Sequence, residues 1–337
     1  MANRWRMSLT KGPDTKESFL NVSQAGAAPS ASSVAPAPLV TLRDLLLWLY
    51  LFPLQFFFRF LSRDRLYQIG RGSEPLLQFH YRKLRKKAEN RMLATPGSGI
   101  SANEAPRIAR QLVSNAIFRA LDNLIVGRPA FLRELRIAEV AGLEHLDWAK
   151  SQGRGVLVVA GHFSAVRLSR RYLATIGYPM LVVRAYHPSA GPAGRLSGRL
   201  VKRRLAKFLH AVVQDEVDHK APDCTLRILQ RLRSGGLVNI MLDTAAGARK
   251  IDASMLGVRW RFSAGILDII RLSGCAVVPM LCLGRSSDLR IVFSPALDIV
   301  EAPARDEFVG ANLPTLVRCI ERQIADHPAE WVLWALL

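Results

Sequence analysis

Apolar positions in this chain fall into short unbroken runs, separated by longer stretches of helical period. The clearest run is 156–160, Val-Leu-Val-Val-Ala, closed by the small residue Gly161. Continuous, β-branched and bounded by small residues, it predicts a strand buried on both faces, as in a parallel sheet. Similar runs at 135–140, 180–184, 237–242, 276–283 and 289–293 predict further strands, with a short one around Val212 and Val213. Helical spacing predicts helices over 143–151, 195–210, 223–233, 262–273 and 311–327. Strands alternating with helices of this length predict an α/β fold: a mainly parallel central sheet flanked by helices.

The first third is patterned differently. Residues 45–58 are apolar all round apart from Gln55, and Arg43, Arg59, Arg63 and Arg65 flank them. As a helix this segment would measure about 21 Å, short of a hydrocarbon core of about 30 Å. Pro53 predicts a kink. Trp48 and Tyr50 suit the headgroup boundary and the arginines suit anionic lipid, so the segment is expected to dip into one leaflet or lie at the interface. Helices are expected over 67–92, with a strongly basic end at 82–87, and over 104–125, separated by a Pro/Gly loop. Residues 1–39 are polar, then Ala/Pro/Ser-rich, without a secretory apolar core. The expected division is a flexible leader over 1–39, a helical membrane-associated region over 40–130 and an α/β domain over 131–337.

Half of the 337 residues are hydrophobic, which excludes wholesale disorder. The net charge of +20 changes the picture more. It calls for a polyanionic partner: an anionic membrane surface, an acidic carrier or substrate, or nucleic acid. No nucleic-acid module is recognisable, and an apolar segment at 45–58 has no purpose in such a protein, so nucleic acid is not the expected partner. The basic amphipathic stretch at 195–210 suits a membrane surface or an acidic carrier. Four cysteines without C-x-x-C spacing suit a reduced cytoplasmic compartment. Phosphate-loop, zinc and Gly-x-Ser-x-Gly patterns are absent, and neither metal nor redox cofactor is expected.

The candidate chemistry centres on His162, just past the carboxyl end of the 156–160 strand. Such positions face the crevice where α/β proteins bind ligands, and a histidine there can serve as general base. Ser164 is a candidate substrate contact beside it. Asp243 ends a neighbouring strand and is a candidate partner for the imidazole, or a cap for its loop. Arg184 and Arg285, each following a strand, are candidates to hold a phosphate or carboxylate. His210 and Asp215 satisfy His-x4-Asp literally, but along a strand residues five apart face opposite sides.

From about residue 40 onward the chain resembles the bacterial lipid A biosynthesis acyltransferases, the lauroyl and myristoyl transferases, within the wider His-x4-Asp/Glu glycerolipid acyltransferase group. The resemblance rests on 141–146 and 155–162, on Val183-Arg184, on 236–243, on 256–257 with 263–265 and 274–279, and on 327–331 with Trp334. It implies a membrane-associated enzyme at the cytoplasmic face of the inner membrane, peripheral or held by a single N-terminal anchor. That enzyme moves a fatty acyl group from acyl carrier protein or coenzyme A to a hydroxyl or amine of a lipid-like acceptor. His162 would be the base. The motif's acid should stand five residues later, where this chain has Arg167. An arginine there opposes an imidazolium. Three explanations stay open: another acid reaches His162, with Asp243 first in line; the acceptor is a better nucleophile such as an amine; or the site is degenerate and only binds lipid or membrane.

Overall fold

Strand β2 (Val156–Ala160) is buried at all five residues, which places it inside the sheet. A computed structural model of the protein describes residue 49 and residues 55–58, 60–125, 137–184, 215–247 and 249–336. The other strands are β1 (Ile137–Ala141), β3 (Met180–Arg184), β4 (Glu216–Asp218), β5 (Leu237–Met241), β6 (Lys250–Met255), β7 (Val258–Ser263), β8 (Ala276–Leu283) and β9 (Leu289–Phe293). Seven of them form one sheet in the order β1-β9-β8-β2-β5-β3-β4. Every neighbouring pair is parallel except β8 with β9, so the expected mainly parallel α/β sheet is present. β6 and β7 pair as a separate antiparallel hairpin.

The helices are α1 (Gln55–Phe58), α2 (Arg63–His80), α3 (Arg82–Ala94), α4 (Ala105–Ile125), α5 (Leu143–Ser151), α6 (Val166–Thr175), α7 (Cys224–Arg233), α8 (Ala264–Ser273), α9 (Arg305–Asp326) and α10 (Leu333–Leu336). The single helix expected over 67–92 is two, meeting at Tyr81. Two elements differ from expectation near the hairpin. Phe262 belongs to β7 and not to the following helix, which begins at Ala264 after Ser263. The strand expected at Val212 and Val213 lies outside the described residues, where the helix over 195–210 and most of the 45–58 segment also fall. The described strand in that region is β4.

Buried polar groups hold the helical first third to the sheet domain. Tyr67 Oη on α2 donates to Asp122 on α4 at 2.9 Å, and Ser286 Oγ in the β8–β9 turn donates to the same carboxylate at 2.6 Å. Arg63 donates to the Ser286 carbonyl at 3.2 Å. Burial, with only partial compensation from Ser286, Tyr67 and Arg63, pushes the Asp122 carboxyl up to about 6. Arg91 on α3 donates to the Trp334 carbonyl on α10 at 3.0 Å.

The outer face of α2 is of mixed character. Ile69, Leu76 and Phe79 are exposed along it, followed by Tyr81, and Arg65 and Arg82 stand on the same exposed side. Phe56, Phe57 and Phe60 are exposed just ahead of it. No helix among the described residues is long and apolar enough to cross a membrane.

Candidate active site

Parallel register brings the two central side chains together. Ala160 at the end of β2 pairs with Met241 at the end of β5. The ladder runs one bond further, Leu242 N–H to the Ala160 carbonyl at 2.8 Å. His162 and Asp243 each lie two residues beyond that matched pair, and so emerge side by side from the middle of the sheet. His162 Nδ1 sits 2.6 Å from Asp243 Oδ1. The His162 backbone N–H and the Trp331 indole Nε1–H both donate to Asp243 Oδ2, each at 2.7 Å.

These contacts set the charge of Asp243. Asp243 is buried with its side chain at 0 % exposure, and burial alone would raise its pKa. The His162 ring, the His162 amide and the Trp331 indole outweigh that and hold it below the ordinary carboxylate value. An ionised Asp243 at Nδ1 selects the tautomer with Nδ1–H, which leaves Nε2 as the proton acceptor. His162 keeps 33 % of its side chain exposed. A carboxylate that follows the neighbouring strand β5 thus stands beside the imidazole.

The turn between β2 and α6 is sterically fixed. A Cβ on Gly161 would meet the Ile320 side chain and, at 2.7 Å, the Phe163 ring. Phe163 makes a β-bridge with Trp331, and Val332 N–H donates to the His162 carbonyl at 2.9 Å. The C-terminal segment therefore braces the histidine turn from one side while β5 braces it from the other.

The other candidate residues are placed as follows. Ser164 donates to Glu330 and, at 3.4 Å, to the Gly284 carbonyl. Arg184 pairs with Glu216 at 3.4 Å. Arg285 is engaged by α4: it donates to Ser114 at 2.9 Å and Asn115 at 3.1 Å, and its guanidinium lies 4.0 Å from the Phe118 ring centroid. Of the literal His-x4-Asp pair, His210 lies outside the described residues, and Asp215 accepts from Arg227 at 3.2 Å.

Glu330 and Trp331 belong to the site although the sequence reading gave them no role. Their signal was available in the C-terminal block 327–331, but nothing in its spacing says where it docks. Burial raises the Glu330 pKa, opposed by Ser164, the Gly284 amide and Arg285. Among the described residues no group of three or more His, Cys, Asp or Glu side chains could hold a metal ion.

No curated protein matches the chain. The family model described as bacterial lipid A biosynthesis acyltransferase matches residues 38–335. A parallel-sheet carboxyl edge bearing a histidine oriented by a buried carboxylate is the arrangement such chemistry requires. The chain belongs to the bacterial lipid A biosynthesis acyltransferase family and is an acyltransferase.

Proposed function

We propose that the protein transfers a fatty acyl group from an acyl thioester, carried on acyl carrier protein or coenzyme A, to a hydroxyl or amine of a lipid A-like acceptor. The hydrogen bond between His162 Nδ1 and Asp243 carries the proposal. His162 Nε2 takes the proton from the acceptor as its oxygen or nitrogen attacks the thioester carbonyl carbon. Ionised Asp243 stabilises the imidazolium that forms. The tetrahedral intermediate collapses, the carbon–sulfur bond breaks, and the imidazolium returns its proton to the leaving thiolate. The side chains supplied for this sequence need no metal.

The reaction would take place at an anionic membrane surface, the cytoplasmic face of the inner membrane, with the protein peripheral or anchored through its N-terminal region. The support is the exposed stripe of Ile69, Leu76 and Phe79 beside Arg65 and Arg82, together with a net charge of +20. The test uses purified full-length protein, an acyl thioester and a lipid extract, with free thiol and acylated product both measured. Acyl transfer that disappears in His162→Ala supports the proposal. Transfer at the wild-type rate in that variant overturns it.

A further inference from the structure

Two consecutive residues of the C-terminal segment reach His162 by different routes. Trp331 acts through the acid, donating to Asp243 Oδ2 at 2.7 Å. Glu330 acts on the turn itself, because its carboxylate accepts from the hydroxyl of Ser164, two residues past the histidine. The turn between β2 and α6 is short, residues 161–165, and beyond His162 it reads Phe163-Ser164-Ala165. Ser164 is therefore its one polar side chain past the histidine. That hydroxyl also lies 3.4 Å from the Gly284 carbonyl. Ser164 is buried and Glu330 half-buried.

Glu330 is itself held in place. Asn115 on α4 is buried, and its Nδ2 donates to Glu330 Oε1 at 3.0 Å and to the Ala329 carbonyl at 3.2 Å. Its Oδ1 accepts from Gln111 Nε2 at 3.0 Å and from Arg285 Nη2 at 3.1 Å. Both amide protons and both acceptor sites of Asn115 are thus committed. A buried side chain satisfied at every site is held in one orientation, and so fixes the carboxylate that it contacts. The relay runs from α4 through Asn115, Glu330 and Ser164 to the histidine turn.

We infer that Glu330 is a positioning residue for His162, gripped by Asn115 and acting through the Ser164 hydroxyl. The contacts stand by themselves; the catalytic purpose given to them rests on the acyl-transfer reading. The hydrogen bond between Nδ1 and Asp243 pins one edge of the imidazole. The direction of Nε2 is then set by the backbone that carries the ring. That backbone is fixed ahead of His162 by the close packing around Gly161, and after it by the anchored Ser164. Release of Ser164 frees the later half of the turn, and a displacement of about 1 Å at a catalytic group costs up to about 10²-fold in rate. The Ser164 proton is committed to Glu330, so its task is to hold the turn and not to bind substrate.

The test combines steady-state acyl transfer by the full chain with NMR of histidine-labelled protein. An imidazole Nδ1–H in a short hydrogen bond to a carboxylate resonates far downfield, and the signal lost in His162→Ala is that of His162. Ser164→Ala and Glu330→Ala should each lower kcat about tenfold, leave KM within about twofold, and shift or broaden that signal. The double variant should lose little more than either single one, because both act through one contact. Glu330→Gln should recover most of kcat and the signal: its amide oxygen still accepts from Asn115, and its amide nitrogen donates to Ser164, which turns toward Gly284. Arg318→Gln, at an exposed position of α9, should match the wild type throughout. If Glu330→Ala does not fold, Ser164→Ala, smaller by one oxygen, carries the comparison. An unmoved signal or an unchanged kcat in the alanine variants overturns the positioning role. A loss confined to KM overturns it too, and returns Ser164 to the substrate. A signal that shifts as expected in a protein whose wild type transfers no acyl group would sink the acyl-transfer reading alone.

Discussion

Trp331 Nε1 and the His162 backbone amide converge on one oxygen of Asp243, leaving its other oxygen to the His162 ring. The carboxylate is therefore fixed by two donors before it orients the imidazole. A buried carboxylate so restrained keeps its charge and its direction, which are the two properties a base-orienting acid needs.

Removing that charge should cost more than removing its support. Asp243→Asn is expected to lower kcat by about 10³–10⁴, as loss of the orienting aspartate does in serine protease triads. His162→Ala should cost at least as much, and the double variant little more, because the pair acts as a unit. Trp331→Phe removes one donor and should cost about tenfold. Steady-state kinetics with circular dichroism to verify folding would check all four. Near-wild-type turnover of Asp243→Asn would exclude its role.

The histidine turn has no room for a methyl group. Gly161→Ala forces the added carbon against Ile320 and the Phe163 ring, so one of these buried side chains or the turn must shift. A loss of about 1–3 kcal/mol in urea unfolding is expected, with activity falling further than stability because His162 is the next residue. Activity retained beside lost stability would mean that the turn tolerates displacement.

Asp122 gives stability a pH signature. Its folded carboxyl is pushed up to about 6, against 3.8 as the ordinary value, with burial as the main cause. The unfolded chain thus releases this proton at lower pH than the folded protein does. The contribution is fully present below pH 3.8 and is lost as pH rises through 6. Asp122→Asn has no such proton to lose. Between pH 4 and 7 the unfolding free energy of the wild type should fall relative to that variant by about 2 kcal/mol. Parallel curves for the two proteins would contradict the raised value.

Lipid attachment can be separated from folding. Replacing Leu76 and Phe79 with Ser changes exposed side chains only, so stability should stay within about 0.5 kcal/mol for each. Flotation with anionic vesicles should drop several-fold, and wild-type binding should weaken with salt. Unchanged flotation would move the membrane contact elsewhere.

The sheet was legible because its strands are short apolar runs bounded by glycine or polar residues. β2, β3, β8 and β9 coincide with those runs. The β6–β7 hairpin was missed because its alternating positions carry Arg259 and Arg261, which face Asp252 across the strands and mask the pattern. α6 was missed because it begins almost at the histidine turn and is strongly basic. Its helical signal lies in the buried Val166, Ser169 and Leu173. α9 begins at Arg305, ahead of the expected start, and accommodates Pro314 within its length.

At the site, strand-end logic reached Asp243, since matched parallel strands release their next residues together. Glu330 and Trp331 were beyond that logic. They arrive from an irregular segment after α9, and no periodicity tells where such a segment docks. Arg285, expected from the sequence as an anion holder, lies against α4, which supplies Ser114, Asn115 and Phe118 as its neighbours.

The bracing of His162 by Trp331 and Val332 has a consequence for biosynthesis. A ribosome delivers the histidine and Asp243 long before the segment that clamps them, and Arg91 then latches that segment through Leu333 and Trp334. A nascent chain can therefore build its sheet while remaining chemically silent. Competence arrives only once residues 331–334 are in place, so a polypeptide truncated ahead of them would be an inert one.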